Sequence, residues 1–353
     1  MSKLNNIYNA WITLNRVCNL RCNWCYAKHT HYDKADDIPL NQAFHIINML
    51  SELNIPHISL IGGEPTLYPE LLQVIKYAKE HNITCGIITN GIKLADESFL
   101  VDLKEFGLQN VSLSLKGYSK ENFNYLTGID GYNIALNAIR NLAKNDVPFS
   151  VSMVIDRYNS KNFLSGIYDA VKQGATNFYL SFEFDFSVLN NNYSNFCFND
   201  IFKMVEDFCD KYTELCKITN DNFVFHQTLP ICIWEEDIIK EMQTKSQIHS
   251  SCQLLQKSGI VFDTKGNIIP CNALYQYTLG KYNEDFFDSC SLKKHLSSTD
   301  VCEFYKKIST LPSKMCVDCK NWSVCGGGCI SNWINFDFET LIKKYHEYKS
   351  KLI

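Results

Sequence analysis

Three cysteines near the N-terminus, Cys18, Cys22 and Cys25, stand in the run Cys18-Asn-Leu-Arg-Cys22-Asn-Trp24-Cys25-Tyr26. This C-x3-C-x2-C spacing comes directly after the apolar segment Trp11-Ile12-Thr13-Leu14. Three thiolates on one tight loop can hold three corners of a four-iron, four-sulfur cube, whose irons ordinarily take four cysteines. One iron is then left without a protein ligand and is open to a substrate or cofactor. The competing readings are a chance cysteine cluster in a loop or half of a zinc site, and structural zinc calls for four closed ligands.

Further along, Gly62-Gly63-Glu64-Pro65-Thr66 follows a second strand-like run. Two glycines let the backbone approach a ligand closely, and the Glu64 carboxylate is an acceptor for a cationic amine. A third run ends in Thr89-Asn90-Gly91, and a fourth reads Val111-Ser112-Leu113-Ser114-Leu115-Lys116-Gly117. The cysteine triplet, with the aromatic Trp24 before its third member, and the GGEP sequence together resemble the signature of the radical S-adenosylmethionine (SAM) superfamily. The resemblance implies that SAM chelates the open iron through its amine and carboxylate. The Gly63 backbone and the Glu64 side chain would hold its ammonium, with Gly62 in the same cofactor-binding turn; Asn90 and Ser114 would make polar contacts at strand ends, and Asn159 resembles another recurrent polar position. It also implies the reaction: an electron from the reduced cluster cleaves SAM to methionine and a 5′-deoxyadenosyl radical, which takes hydrogen from an unactivated carbon. Such chemistry belongs to the cofactor while the chain binds, orients and excludes water. No acid–base dyad is singled out, so the catalytic residues are unassigned. Lys116, Glu183 and Asp185 fall near predicted strand ends, where they could face a substrate.

A second cysteine array lies toward the C-terminus: Cys252, thirteen residues, Gly266, four residues and Cys271, then Cys316-x2-Cys319-x5-Cys325-x3-Cys329. A zinc ribbon is the plain alternative, but it strands Cys252 and Cys271. The spacing resembles the SPASM extension of radical SAM enzymes, which binds two auxiliary iron–sulfur clusters. By that resemblance Cys252, Cys271 and Cys329 hold one cluster, and Cys316, Cys319 and Cys325 hold most of the other. The pattern departs from the family's in one respect, because nothing after Cys329 is a cysteine. The second cluster then needs Asp337, His346 or an open iron, or is absent; Cys232 is a candidate fourth ligand for the first. The turn Asp263-Thr264-Lys265-Gly266-Asn267 suits a hairpin leading into Cys271.

Enzymes with this extension mostly modify peptides or proteins. The resemblance therefore implies a peptide-modifying radical SAM oxidoreductase of the kind that matures ribosomal peptides by cross-link, oxidation or epimerisation. Its partners would be a peptide or protein substrate, a separate leader-binding protein, since no leader-binding segment precedes the first strand, and an electron donor such as flavodoxin or ferredoxin. A dehydrogenase or epimerase of a small metabolite would share every motif. A sulfatase-maturating type is a further alternative, although the aspartate that follows the cysteine equivalent to Cys271 in those relatives is Asn272 here. A non-catalytic metal-binding protein is the remaining class.

Composition narrows the field. Among 353 residues, 46% are hydrophobic and 20% charged, enough to bury a large core and too little charge for disorder. A net charge of −4 offers no general attraction to nucleic acid. The N-terminus shows no signal-peptide pattern and no apolar stretch long enough to span a bilayer, so a cytoplasmic location without membrane attachment is expected. In that reducing compartment sixteen cysteines point to metal ligation rather than disulfides. Seven of them, Cys85, Cys197, Cys209, Cys216, Cys232, Cys290 and Cys302, lie outside the motifs, and most are expected to be packed small hydrophobes.

The elements that must position these residues alternate in type. Strands are expected at 11–15, 57–61, 84–89, 110–115, 149–155 and 177–183, with helices near 40–53, 69–81, 96–105, 132–144 and 160–173. Pro39 and Pro69 suit first-turn positions. This is an α/β pattern of βα units on a parallel sheet, and the family resemblance implies a partial (βα)6 barrel with a smaller cysteine-rich domain. The expected division is a lead at 1–10, the barrel at 11–190, a helical bridge at 191–245, asparagine-rich at first and helical around 198–217, and the auxiliary-cluster domain at 246–353.

Overall fold

The computed structural model describes residues 7–29, 36–183, 197–226, 228–249, 252–309, 312–316, 318–335 and 337–351. Its frame is one ten-stranded sheet. The strands are β1 (Asn9–Thr13), β2 (His57–Ile61), β3 (Thr84–Thr89), β4 (Asn110–Ser114), β5 (Phe149–Ile155), β6 (Phe178–Phe182), β7 (Phe223–His226), β8 (Ile248–His249), β9 (Gly259–Phe262) and β10 (Ile268–Ile269). Their order is β10-β9-β1-β2-β3-β4-β5-β6-β7-β8, and only the β9–β10 pair is antiparallel. The fold is the expected α/β pattern of a parallel sheet with crossover helices, followed by a cysteine-rich C-terminal part.

Local sequence explains most of these elements. Strands such as Thr84-Cys85-Gly86-Ile87-Ile88-Thr89 are buried through their middle, as both faces of a parallel sheet must be. The crossover helices α1 (Leu40–Glu52), α2 (Leu71–Glu80), α3 (Glu97–Phe106), α5 (Tyr132–Lys144) and α6 (Phe163–Lys172) each carry one apolar stripe. In α5 it is Tyr132, Ala135, Ala138, Ile139 and Leu142, a helical repeat laid on the sheet. Pro39 is the N-cap of α1 and Pro69 precedes the N-cap Glu70 of α2, so both prolines sit just outside the first turn rather than in it.

Three features exceed the expected pattern: the helix after β4, the strands β7 and β8, and the return of β9. A short helix, α4 (Lys120–Thr127), follows β4 and is capped by Ser119, whose side chain accepts from the Asn122 N–H. The long helix α7 (Phe198–Thr219) leads into two more parallel strands, β7 and β8. β9 returns to the opposite edge and pairs in parallel with β1, Ala10 opposite Ile260. That pairing, with β2 on the other side, explains why β1 starts at Asn9, two residues before the apolar run. The 263–267 segment makes the expected hairpin: Asp263 Oδ1 accepts from the Lys265 and Asn267 N–H groups at 2.8 Å.

Beneath α7 lies an aromatic cluster. Phe208 is 4.7 Å from Phe225 and 5.5 Å from Trp234 between ring centroids, and Phe182 is 5.2 Å from Trp234. It fixes the segment after β7 to the sheet. Of the seven scattered cysteines, Cys85, Cys209 and Cys216 are buried but Cys197, Cys232, Cys290 and Cys302 are exposed, so fewer than expected act as core residues. All sixteen thiols are free of disulfides. Among the described residues no helix is long and apolar enough to cross a membrane.

Candidate functional site

The chain leaving β1 runs through Leu14, Asn15, Arg16 and Val17 into Cys18, and the loop leaving β2 is laid directly upon it. The Gly63 N–H donates to the Asn15 carbonyl at 2.9 Å, the Glu64 N–H to the Val17 carbonyl at 2.8 Å, and Asn15 Nδ2 to the Glu64 carbonyl at 2.9 Å. A Cβ on Gly62 would collide with Asn15 Oδ1, and one on Gly63 with the carbonyl oxygens of Arg16 and Val17. The close approach that sequence reasoning assigned to a ligand is made here by the cysteine loop itself.

Glu64 is 1% exposed and ties three segments together. Its Oε1 accepts from the Thr66 N–H at 3.1 Å, Thr66 Oγ1 at 2.7 Å and Thr89 Oγ1 at 2.6 Å, while Oε2 accepts from the Asn90 N–H at 2.8 Å. Asn90 carries the connection onward: its Nδ2 donates to Asn19 Oδ1 at 2.7 Å and faces Cys18 Sγ at 3.9 Å. The Leu20 N–H donates to the same sulfur at 3.4 Å. From the other side, α4 receives the loop through its last carbonyls, Arg21 N–H to Thr127 at 2.9 Å and Asn23 N–H to Leu126 at 3.0 Å. Trp24 is half-buried between these anchors and Cys25. Sequence reasoning missed α4; the Ser119-x-x-Asn122 start and Gly128 after Thr127 were its signals.

The remaining expected contacts separate. Ser114, half-buried at the end of β4, shares a hydrogen bond of 3.0 Å with Ser152 on β5. Asn159 is fully buried, and its amide builds the turn after β5: Oδ1 accepts from the Asp156 N–H at 2.9 Å and Nδ2 donates to the Val154 carbonyl at 2.8 Å. Beside it is a group that the sequence did not flag, Asp156. Its Oδ1 accepts from the Tyr158 and Asn159 N–H groups, its Oδ2 is buried without a partner, and burial raises its carboxyl to about 6. Glu183 closes β6 with its N–H on the Ile155 carbonyl at 2.8 Å, and Asp185 lies outside the described residues.

Burial pushes the Cys18 thiol up to about 11, and the Glu64 carboxylate and the two sister thiols push it the same way. Cys22 is raised by burial too, with Lys116 at the end of β4 opposing. Thiols crowded against one another and a carboxylate stay protonated until a cation joins them; a metal centre supplies that charge and takes them as thiolates. Soft donors alone, on one loop, with basic Lys116 alongside, fit an iron–sulfur cluster.

Residues 12–165, from β1 into α6, match the radical SAM superfamily. This segment is a radical SAM domain. Such a domain implies SAM and a 4Fe–4S cluster. A "Probable GTP 3',8-cyclase" of Thermococcus kodakarensis is 28% identical over 149 residues, 42% of this chain and 48% of its own length. An "AdoMet-dependent heme synthase" of Methanosarcina barkeri is 27% identical over 174 residues, 49% of each chain. The chain thus spans about half the length of the curated relatives it matches. Likeness of fold goes further. Streptococcus suis SuiB bound to precursor peptide SuiA has a TM-score of 0.70 at 17% identity, over 94% of this chain and 73% of that one. Native anSMEcpe with bound AdoMet has a TM-score of 0.71 at 20% identity, over 96% of both.

Beyond the radical SAM domain the other cysteines gather into two groups. Cys252, Cys271 and Cys329 are electrostatic neighbours: burial lifts Cys271 far above the usual thiol range, and Cys329 and Cys252 add to it. An apolar patch of Leu254, Leu274, Ile308 and Ile330 packs against Cys252 and Cys271. Cys316, Cys319 and Cys325 form the second group, burial raising Cys316 to about 11 with Cys325 and Cys319 adding to it. Cys232, expected beside the first set, stands by the second instead, with Cys325, Cys316 and Cys319 around it. Asp337 uses its carboxylate to cap the helix Phe338–Lys349, accepting from the Thr340 N–H at 2.9 Å, and His346 lies in that helix's last turn. Among the described residues no three His, Cys, Asp or Glu side chains close around one metal ion. Burial of the Tyr26 hydroxyl raises it to about 12 against the opposing charge of Arg16, with Cys25, Cys18 and Cys271 adding to the rise.

Proposed function

We propose that this chain is a radical SAM oxidoreductase of the SPASM type that modifies a peptide or protein substrate by cross-link, oxidation or epimerisation. Residues 246–353 would form its auxiliary-cluster region. The observation that carries the reading is the separate packing of the C-terminal cysteines: Cys252 and Cys271 lie against the patch of Leu254, Leu274, Ile308 and Ile330, whereas Cys325 takes the Ile231 N–H at 3.5 Å. Support comes also from fold likeness along nearly the whole chain to SuiB with its precursor peptide and to anSMEcpe with bound AdoMet and Cp18Cys peptide.

SAM bound at the first cluster would supply a 5′-deoxyadenosyl radical for hydrogen abstraction. The chain's own part is positional. Cys18, Cys22 and Cys25 would grip that cluster. Gly62, Gly63 and Glu64 hold the loop after β2 against the cysteine loop, and Asn90 backs Cys18 while standing at the mouth with Ser114. Trp24 would cover the cofactor from the cysteine loop. Lys116 would receive its carboxylate. The C-terminal sets would take or relay the electron released as the substrate radical is quenched, with a small reductase protein such as flavodoxin or ferredoxin feeding the first cluster. A ribosomal precursor peptide would be presented by a separate leader-binding protein or by the mouth of the barrel.

A second reading, a small-metabolite enzyme, is favoured by the curated relatives, two of which are named for GTP cyclisation and heme synthesis. Anaerobic reconstitution with iron, sulfide, dithionite and SAM separates the possibilities. The peptide reading expects 5′-deoxyadenosine together with a mass change in a supplied peptide. Nucleoside production coupled only to a small metabolite would favour the second reading, and no 5′-deoxyadenosine would overturn both.

A further inference from the structure

Cys232 lies on the segment between β7 and β8, far from both cysteine motifs in the sequence. It is the middle residue of a single 3-10 turn, Ile231–Ile233, introduced by Pro230. Its neighbours are all anchored: Ile231, Ile233 and Trp234 are buried, and Trp234 belongs to the aromatic cluster with Phe182, Phe208 and Phe225. Both flanking side chains are buried, and Cys232 between them is exposed. Its position is therefore set by the packing of the sheet and not by the C-terminal cysteine loops.

Those loops come to it. The Ile231 N–H donates to Cys325 Sγ at 3.5 Å, and the Cys329 N–H donates to the Thr228 carbonyl at 2.9 Å. Gly328 holds φ of +81° where the strap crosses, and a Cβ there would meet the Thr228 carbonyl oxygen at 2.6 Å and the Leu229 carbonyl carbon at 3.0 Å. Glycine is needed at that point because the 228–230 backbone runs across it. The contact is thus built from both sides, and it places Cys232 next to the knuckle that carries Cys316, Cys319 and Cys325.

We propose that Cys232 is the fourth protein ligand of the second auxiliary cluster, closing a four-cysteine set with Cys316, Cys319 and Cys325. The assignment rests on the auxiliary-cluster reading above and names a ligand that the C-terminal motif does not contain. Cys325, Cys316 and Cys319 are the thiols that make up its electrostatic surroundings. Cys252 and Cys271 are not among them, whereas Cys329 joins those two. Of the other expected candidates, Asp337 is engaged as a helix cap and His346 lies in the last turn of the same helix. Four thiolates on four irons leave no iron of this cluster open, so it is suited to electron transfer and not to binding substrate. The first auxiliary set retains three cysteines.

The test compares the full chain, reconstituted anaerobically, with Cys232→Ala, Cys232→Ser and Cys319→Ala, using Cys290→Ala as an exposed-thiol control. Readouts are iron, sulfide and zinc per chain, Mössbauer and EPR spectra, and circular dichroism to establish folding. Both Cys232 variants should match Cys319→Ala, losing about four of about twelve irons or turning one cluster into a three-iron form. Cys290→Ala should keep them all. Full iron content and an unchanged spectrum in folded Cys232→Ala and Cys232→Ser would overturn the assignment. A wild-type chain holding one zinc that is lost in Cys232→Ala would uphold Cys232 as a ligand and overturn the iron–sulfur reading of this set. A wild-type chain with only eight or fewer irons, no zinc and no change on substituting Cys232 would overturn both.

Discussion

The two cysteine-bearing regions bring their thiols together in opposite ways. Near the N-terminus, Cys18, Cys22 and Cys25 lie within one loop, and everything around them is scaffold. The Gly62-Gly63-Glu64 turn is bonded to residues 15 and 17, Glu64 to Thr89 and Asn90, Asn90 to Asn19, and α4 to Arg21 and Asn23. Near the C-terminus the two groups interleave along the sequence. Cys329 follows Cys325 closely in sequence yet joins Cys252 and Cys271, while Cys325 is drawn toward the strap carrying Cys232. A contiguous set depends on the local turn and on a few supporting bonds. A dispersed set depends on the whole sheet, since β9 must pair with β1 and the 228–234 strap must be packed before the thiols meet.

That contrast can be broken most sharply at the cysteines themselves. Replacing Cys22 by alanine should lower the rate of 5′-deoxyadenosine formation by more than about a thousand-fold, equivalent to about 4 kcal/mol, while the C-terminal iron stays bound. Chromatographic assay of the nucleoside beside iron analysis checks it, and loss of iron from every site would show the two regions to be one folding unit. Next in size, Gly63→Ala drives a methyl into the Arg16 and Val17 carbonyls and should cost at least about 1–3 kcal/mol. Gly328→Ala combines positive φ with contact on the Thr228 carbonyl and should cost a similar amount. Thermal melting with site-resolved iron analysis should show the first variant weakening the N-terminal cluster and the second the C-terminal ones.

A pH term should belong to the barrel side. Asp156 has a folded-state carboxyl near 6 because of burial, above the unfolded value of about 3.9. The folded protein therefore favours the protonated acid: its contribution is full below about pH 4 and fades as pH rises through 6, a change of roughly 3 kcal/mol. Asp156→Asn should flatten the melting temperature between pH 4 and 7, and an unaltered slope would remove Asp156 as its source. The smallest effect is expected from Asp337→Ala, which deletes a helix cap worth about 1 kcal/mol. Its iron content should equal that of the parent chain, since its carboxylate is engaged with Thr340; iron loss would return Asp337 to the ligand set.

Much of the barrel was legible because its code is local. Strands His57–Ile61, Thr84–Thr89 and Phe149–Ile155 and helix Tyr132–Lys144 fall where periodicity puts them, since a parallel sheet covered by helices demands continuous apolar strands and striped helices. β8 and β10, two residues each, carry no periodic signal, and β9 is defined by its partner rather than by its own sequence. At the site the cysteines and the GGEP turn could be named in advance, but their bonding could not. Asn159 reads as a polar strand-end residue, yet the turn geometry commits its amide to backbone, while the neighbouring Asp156 is the group left with a buried, unpartnered oxygen.

The sequence by itself determined the donor chemistry: which residues are thiols, how closely three of them follow one another, and that the segment bearing them is a βα repeat. Spacing within a loop is a covalent constraint, so it survives whatever the rest of the chain does. The tertiary structure alone decided which distant thiols share a neighbourhood, that two glycines make room for the chain's own backbone, and that Cys232 stands with Cys316, Cys319 and Cys325. Those relations arise from strand pairing and core packing between segments far apart in the chain, and no short stretch of residues encodes them.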